Sequence, residues 1–255
     1  MIHPTALVDT KAELGREVEV GPYAVIGPQV TIGDGSKIAA HAVVECNAKI
    51  GAGVQIGVGT VVGGPPQDLK YKNEETWVEI GDQTVLREYS TVNRGSTATG
   101  KTTIGARCFL MTYVHIAHDC HLGNDIIIAN GVQMAGHVTI GDRANISGLT
   151  PIHQFCRIGT FAFVGGGSRV NQDVPPYVKA VGNPLQLYGL NSVGLQRAGF
   201  SAEVKLALKR AYRLLFNSDF NITQGIARAR AELPALPEVE TFLTFIETSQ
   251  RGVLV

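Results

Sequence analysis

Aliphatic side chains recur every six residues from Ile2 to Val62, then from Ile80 to Val92, then from Ile104 to Val170. No other feature limits the fold so sharply. An amphipathic helix needs a period near 3.6 and a strand a period of 2, so a period of six is neither alone. It fits a parallel β-helix, in which each hexad supplies a short strand and a corner. Three hexads close one triangular coil, so residue n lies under residue n+18. Gly often follows the aliphatic residue, as in IGDGSK and IGAGVQ, and a small side chain comes three places later. Coils stacked about 4.8 Å apart through backbone hydrogen bonds would form a prism on the order of 45 Å long, with about ten coils.

The misses fall at Asp68, Glu74 and Ala98. Residues 63–77, GGPPQDLKYKNEETW, carry a Pro pair that cannot donate to a ladder, and read as a loop ejected from the prism. Residues 94–103, RGSTATGKTT, keep the phase, so a second excursion and a weak hexad both fit. After residue 182 the period ends. Helices are expected over 201–216 with Ser201 as cap, over 222–233, and over 237–250 opened by Pro237. The expected division is a β-helix over 1–182 and a helical domain over 183–255, which would cover the open end of the prism and its strand edges.

Composition narrows the function. Gly is 30 of 255 residues, above the usual share of roughly 7 %, and suggests many tight corners. Lys and Arg total 22 against 22 Asp and Glu, so the basic excess of a nucleic-acid binder is absent. No stretch approaches 18 apolar residues, and MIHPTALVDT is unlike a signal peptide, so a cytoplasmic protein without a membrane span is expected. Cys46, Cys108, Cys120 and Cys156 form no CxxC and read as small packed side chains in a reducing compartment. Cys120 and Cys156 are two coils apart, too far for a disulfide.

Coil geometry gathers the histidines of HIAHDCHLG, residues 115–123, with later ones. His118 lies under Gly136, and Gly136 under Gln154. His137 and His153 stand beside them on the same edge. Three readings fit: a metal site, a wet structural edge, or a general base. Histidine titrates near neutrality and can take a hydroxyl proton. Asp119 could fix its tautomer, although neighbours on a strand often face apart. The Gly136 N–H could meet an oxyanion, and a glycine leaves room for an acyl group.

The hexads resemble the left-handed β-helix of the hexapeptide acyltransferase superfamily, and the left hand is what that resemblance implies. QDLKY at 67–71, HIAHDC at 115–120, AGH at 135–137, HQF at 153–155, GG at 165–166, QDVPPYV at 172–178 and NSVGLQRAGFS at 191–201 are similar to the UDP-N-acetylglucosamine 3-O-acyltransferases of lipid A synthesis. The resemblance covers essentially the whole chain. It implies transfer of a 3-hydroxyacyl group from an acyl carrier protein thioester to the 3-hydroxyl of UDP-N-acetylglucosamine. The reaction needs no metal, cofactor or covalent enzyme intermediate. His118 matches the general base, Asp119 its orienting partner and Gly136 the oxyanion site. Asp68, Lys70, His115, His137, His153, Gln154, Asn191 and Arg197 match substrate contacts, and a guanidinium such as Arg197 suits diphosphate. Gly166 matches the position that limits acyl length, and a glycine there predicts a longer chain. The family's better-known members carry His, Glu and Arg where this chain has Asn93, Val193 and Ala198, which alters the uridine and sugar contacts. A homotrimer with clefts between prisms is implied, and the acidic carrier would dock near Arg169, Lys179 and Arg197. The competing readings are an N-acyltransferase on a related amino sugar, a trimeric zinc β-helical carbonic anhydrase, and a non-catalytic scaffold.

Overall fold

The computed structural model describes residues 1–254. Strands of two to five residues form three sheets. Sheet 1 runs from Leu7–Val8 to Pro151–Ile152 and sheet 2 from Glu13–Leu14 to Arg157–Ile158, with eight strands each. Sheet 3 has ten strands, from Glu19–Val20 to Val178–Val181, with Gln186–Leu190 added antiparallel at its end. The chain visits the sheets in turn and winds as a left-handed parallel β-helix. The expected register holds where Ile116 pairs with Met134 and Met134 with Ile152. The clock residues fill the axis: Ile26, Ile32, Ile38, Ile56, Leu86 and Leu110 are all under 2 % exposed. Cys108, Cys120 and Cys156 pack at the small-residue position as free thiols.

The excursions break the register by fixed amounts. Val62 pairs with Val92 and Val92 with Ile116, where an uninterrupted coil would advance by eighteen. Twelve residues leave the prism in the first case and six in the second, together one coil. Sheet 3 accordingly has nine parallel strands, so the prism has about nine coils and not ten. The first loop is 65–76, because Val61–Gly64 and Trp77–Ile80 are strands, which trims the expected 63–77. The second region is a true excursion over 94–100, and Lys101–Ile104 returns as a strand against Trp77–Ile80.

The glycines do a different job from the one their number suggested. The corners repeatedly place one residue in the left-handed region, and most of these carry side chains: Glu17, Tyr23, Gln29, His41, Asn47. Each such non-glycine residue costs on the order of 1–3 kcal/mol. Many corner N–H groups offset this by donating to the coil before, as Tyr89 N does to Val58 O at 2.9 Å. The glycines after the aliphatic residue instead permit close approach. A Cβ on Gly27 would lie 1.4 Å from Glu45 O, and one on Gly105 2.3 Å from Gly123 O.

Four helices follow: α1 Ser192–Arg197, α2 Ala202–Phe216, α3 Ile222–Glu232 and α4 Pro237–Glu247. Ser201 caps α2 as expected, accepting from Val204 N. Helix α1 and the antiparallel strand Gln186–Leu190 were not anticipated. The tail closes the prism through its strand edges: Gln186–Leu190 pairs with the last strand of sheet 3, and Val253 bridges to Asp173.

Candidate active site

Strand His115–Ile116 lies in sheet 1 and His121–Leu122 in sheet 2, so His118 and Asp119 occupy the corner between them. His137 N donates to His118 O at 3.1 Å and Phe155 N to Gly136 O at 3.2 Å, which places His118, Gly136 and Gln154 in one column. Both excursions leave the prism at this same edge, from sheet 1 strands Val61–Gly64 and Thr91–Asn93. They therefore stack over the histidines, a coincidence hidden in the sequence.

His118 Nδ1 lies 2.7 Å from Asp119 Oδ2, and both side chains are buried. The expected alternation of strand neighbours fails here because Asp119 has φ +59°. That left-handed turn swings its carboxylate to the histidine side. Burial works against the Asp119 charge. Hydrogen bonds from Ser96, Thr99 and His118 outweigh it and hold the carboxyl at about 2. An ionised carboxylate only accepts, so Nδ1 carries the hydrogen and, in the neutral ring, Nε2 is the free base. Ser96 and Thr99 were not singled out in the sequence, and neither was Thr102, whose hydroxyl accepts from Asp119 N at 2.9 Å.

A pocket of about 430 Å³ opens in front of this dyad, lined by His115, His118, Gly136, Gln154, Gln133 and Gln67. Beside it a groove of about 340 Å³ shares Gln67, His115 and Gln133 and continues to Tyr89 and Tyr113. A larger hollow of about 700 Å³ lies on the sheet 3 face near the N-terminus. It contains none of the clustered histidines. Among the described residues the Gly136 N–H has no acceptor, which leaves it available to an oxyanion. A Cβ at Gly136 would sit 2.6 Å from His118 Cε1, so the glycine makes room first for the imidazole itself.

His115 Nδ1 lies 2.7 Å from Thr91 Oγ1, and burial followed by repulsion from His118 lowers its pKa. His137 stacks on Phe155 with centroids 4.6 Å apart and meets His118 edge-on at 5.1 Å. Burial lowers its pKa, while Asp119 and Asp68 pull the other way, so the 65–76 loop reaches this edge. Lys70 is exposed on that loop, and its backbone N–H bonds Asp68. His153 is exposed beside Gln154. Cys120, although next to Asp119, donates to Ala135 O and is pushed by burial up to about 12, so it stays a thiol. Ligand atoms of His118, Asp119 and His137 lie within 4.8 Å of one another, but His118 Nδ1 and both Asp119 oxygens are already taken by hydrogen bonds.

Three predicted site residues lie off this edge of the same chain. Gly166 follows the sheet 3 strand Phe163–Val164, toward the corner of sheets 3 and 1. Asn191 caps α1 and donates from Nδ2 to Phe161 O, at the corner of sheets 2 and 3. Arg197 is exposed at the end of α1.

The family pattern described as bacterial transferase hexapeptide (six repeats) matches residues 11–46 and 101–136, on either side of the two excursions. The pattern for UDP-N-acetylglucosamine O-acyltransferase, domain 2, matches 173–254. The chain is 46 % identical over 192 residues, 75 % of each chain, to the acyl-[acyl-carrier-protein]–UDP-N-acetylglucosamine O-acyltransferase of Anaeromyxobacter dehalogenans. It is 46 % identical over 194 residues to that of Alkalilimnicola ehrlichii, covering 76 % of this chain and 75 % of the relative. The solved UDP-N-acetylglucosamine acyltransferase of Bacteroides fragilis superposes over 100 % of both chains with a TM-score of 0.98 at 42 % identity. The Arabidopsis enzyme gives 0.89 at 35 %, again over both whole chains. At this identity over three quarters of each chain, and with whole-chain superposition on solved members, the chain belongs to the UDP-N-acetylglucosamine O-acyltransferase family.

Proposed function

We propose that the chain transfers a 3-hydroxyacyl group from acyl carrier protein to the 3-hydroxyl of UDP-N-acetylglucosamine, the first step of lipid A synthesis, with His118 as general base. The observation that carries the assignment is the Nδ1 hydrogen bond to a buried, ionised Asp119, which leaves Nε2 as the free ring nitrogen beside Gly136. His118 Nε2 takes the proton as the sugar oxygen attacks the thioester carbon. The carbonyl electrons move to oxygen, which the Gly136 N–H stabilises. Collapse forms the ester, breaks the carbon–sulfur bond, and returns the proton from His118 to the thiolate. Asp119 steadies the imidazolium between the two steps.

The working form is a homotrimer. The outward column of sheet 2 is polar, reading Glu13, Thr31, Lys49, Glu79, Thr103, His121, Thr139. Sheet 1 instead begins with an apolar run, Leu7, Val25, Val43 and Val61, before Thr91, His115 and Gln133, and sheet 3 turns out Val85, Phe109, Ile127 and Phe163 among Glu19, Lys37, Gln55, Asn145 and Lys179. Tyr23, Tyr89, Tyr113 and Leu149 stand exposed at the corner these two sheets share. Apolar stretches on both faces, meeting at an aromatic edge, favour association there. Sheet 2 would then face solvent, and each cleft would take its His118 edge from one prism and its Asn191 and Arg197 edge from the next. Arg169, Lys179 and Arg197 are exposed, and none forms an ion pair among the described residues, which suits an acidic carrier.

The test is product formation. Purified protein is mixed with UDP-N-acetylglucosamine and a series of 3-hydroxyacyl carrier thioesters, and the product mass is read. H118A should lose about 10²–10⁴-fold. A loss under about tenfold contradicts the base assignment.

A further inference from the structure

We propose that Ser96 and Thr99 are positioning residues for the transfer: the 94–100 excursion is a brace that keeps Asp119 turned toward His118. The inference rests on His118 being the base. Asp119 Oδ1 accepts from Ser96 N at 3.0 Å, from Thr99 N at 3.3 Å and from the Thr99 hydroxyl. Oδ2 accepts from Ser96 Oγ at 2.6 Å and from His118 Nδ1 at 2.7 Å. Four of these five donors come from one short loop.

The brace matters because two imidazoles compete for the same oxygen. His137 Nε2 stands 3.7 Å from Oδ2, on the coil after His118. A carboxylate free to rotate about its Cα–Cβ and Cβ–Cγ bonds could serve either ring. Served by His137, it would leave His118 without a fixed tautomer, and Nε2 would no longer be reserved as the base. Two oxygens pinned by one loop define the carboxylate plane, and the direction left on Oδ2 points at Nδ1. Thr99 is exposed and Ser96 half-buried, so both hydroxyls can be removed without opening the core.

The charged and titratable groups facing the dyad are His137 on Asp119, His115 on His118, and Asp68 and His121 on His137. Removing the two hydroxyls leaves burial less opposed, so the Asp119 carboxyl rises from its depressed value. A carboxylate stripped of other donors also attracts the His118 imidazolium more strongly. Both effects move the acid limb of kcat/KM to higher pH.

The experiment compares S96A, T99V, the double variant, T99S and H118A, with melting curves for each. The double variant should lose roughly ten- to hundredfold in kcat, the scale of a 1 Å misplacement, with KM for the sugar nucleotide within about twofold. Its acid limb should move upward, and T99S, which keeps the hydroxyl, should behave like the parent. If the double variant melts early, S96A alone carries the same test. An unmoved acid limb and unchanged kcat, in a series where H118A is inactive, overturn the brace alone. An H118A protein that keeps its activity overturns the brace and the base assignment together.

Discussion

A single left-handed residue decides whether the His118–Asp119 pair exists. On an extended strand the two side chains would diverge, and from sequence alone the helper role stayed open for that reason. The stacking of His118, Gly136 and Gln154 was legible because an uninterrupted period of six fixes which residues share an edge. The φ of +59° at Asp119 was not, since most corners in this prism hold ordinary side chains in that region. Gly136 is tested by adding one carbon. A Cβ 2.6 Å from His118 Cε1 must displace a ring whose Nδ1 is tied down. G136A should lose roughly 10²-fold in kcat, the order that misplacing a catalytic group by 1 Å costs. Its melting transition should change little, because the ring can tilt into the open pocket. Gly166 is a different case: a Cβ there finds nothing closer than Gly148 O at 3.4 Å. G166M should fold normally and shift preference toward shorter acyl donors in a competition assay. An unchanged preference would remove Gly166 from the acyl groove.

The two excursions show what periodicity can and cannot reveal at the level of elements. The 65–76 loop announced itself by a Pro pair and two missed beats. The 94–100 loop adds only six residues to its coil and misses a single beat, at Ala98, so a weak hexad fitted the sequence as well as an excursion did. That both leave from the histidine edge follows only from counting sheets, which the register does once the insertions are known. Arg94 joins them. It is 8 % exposed, and its guanidinium donates to Gly63 O, to Tyr71 Oη at 3.1 Å and to Cys46 Sγ at 3.0 Å. It therefore ties the base of the second loop to the start and the middle of the first. R94M would leave a buried carbonyl without its donor and release Tyr71, at a cost of about 2–4 kcal/mol. The expected result is a lower melting temperature and faster proteolytic cutting within 65–76. An unchanged cutting rate would mean that the loop is held by other contacts. Helix α1 escaped the sequence reading because six residues are too few to establish a helical period, and its Asn191 cap resembles a loop residue.

At the scale of the whole molecule, one chain holds an incomplete set of the expected contacts. His118, Asp119, Gly136, His115, His137 and Gln154 gather on one edge, whereas Asn191 and Arg197 stand at another corner of the triangle. No turn of the backbone within a rigid prism brings those edges together. A second copy can, and the apolar stretches on sheets 1 and 3, with the exposed Tyr23, Tyr89, Tyr113 and Leu149 at their shared corner, say which faces would turn inward. Their pattern was present in the sequence all along, as the residue before each axial aliphatic. It could not be sorted by face until the insertions had been subtracted from the count. A shared cleft makes a prediction that neither edge makes alone. In a cyclic trimer each contact is heterologous, so every cleft of the proposed trimer would take His118 from one subunit and Arg197 from its neighbour. H118A and R197A, each assembled as a pure trimer, damage all their clefts. Mixed at equal amounts, denatured and reassembled, they should regain about a quarter of the parent activity, because one ordered neighbour pair in four supplies both residues. Mixing without exchange of subunits should restore nothing. If reassembled mixtures stay as inactive as the separate variants while mass measurement shows mixed trimers, His118 and Arg197 do not serve one cleft across the interface.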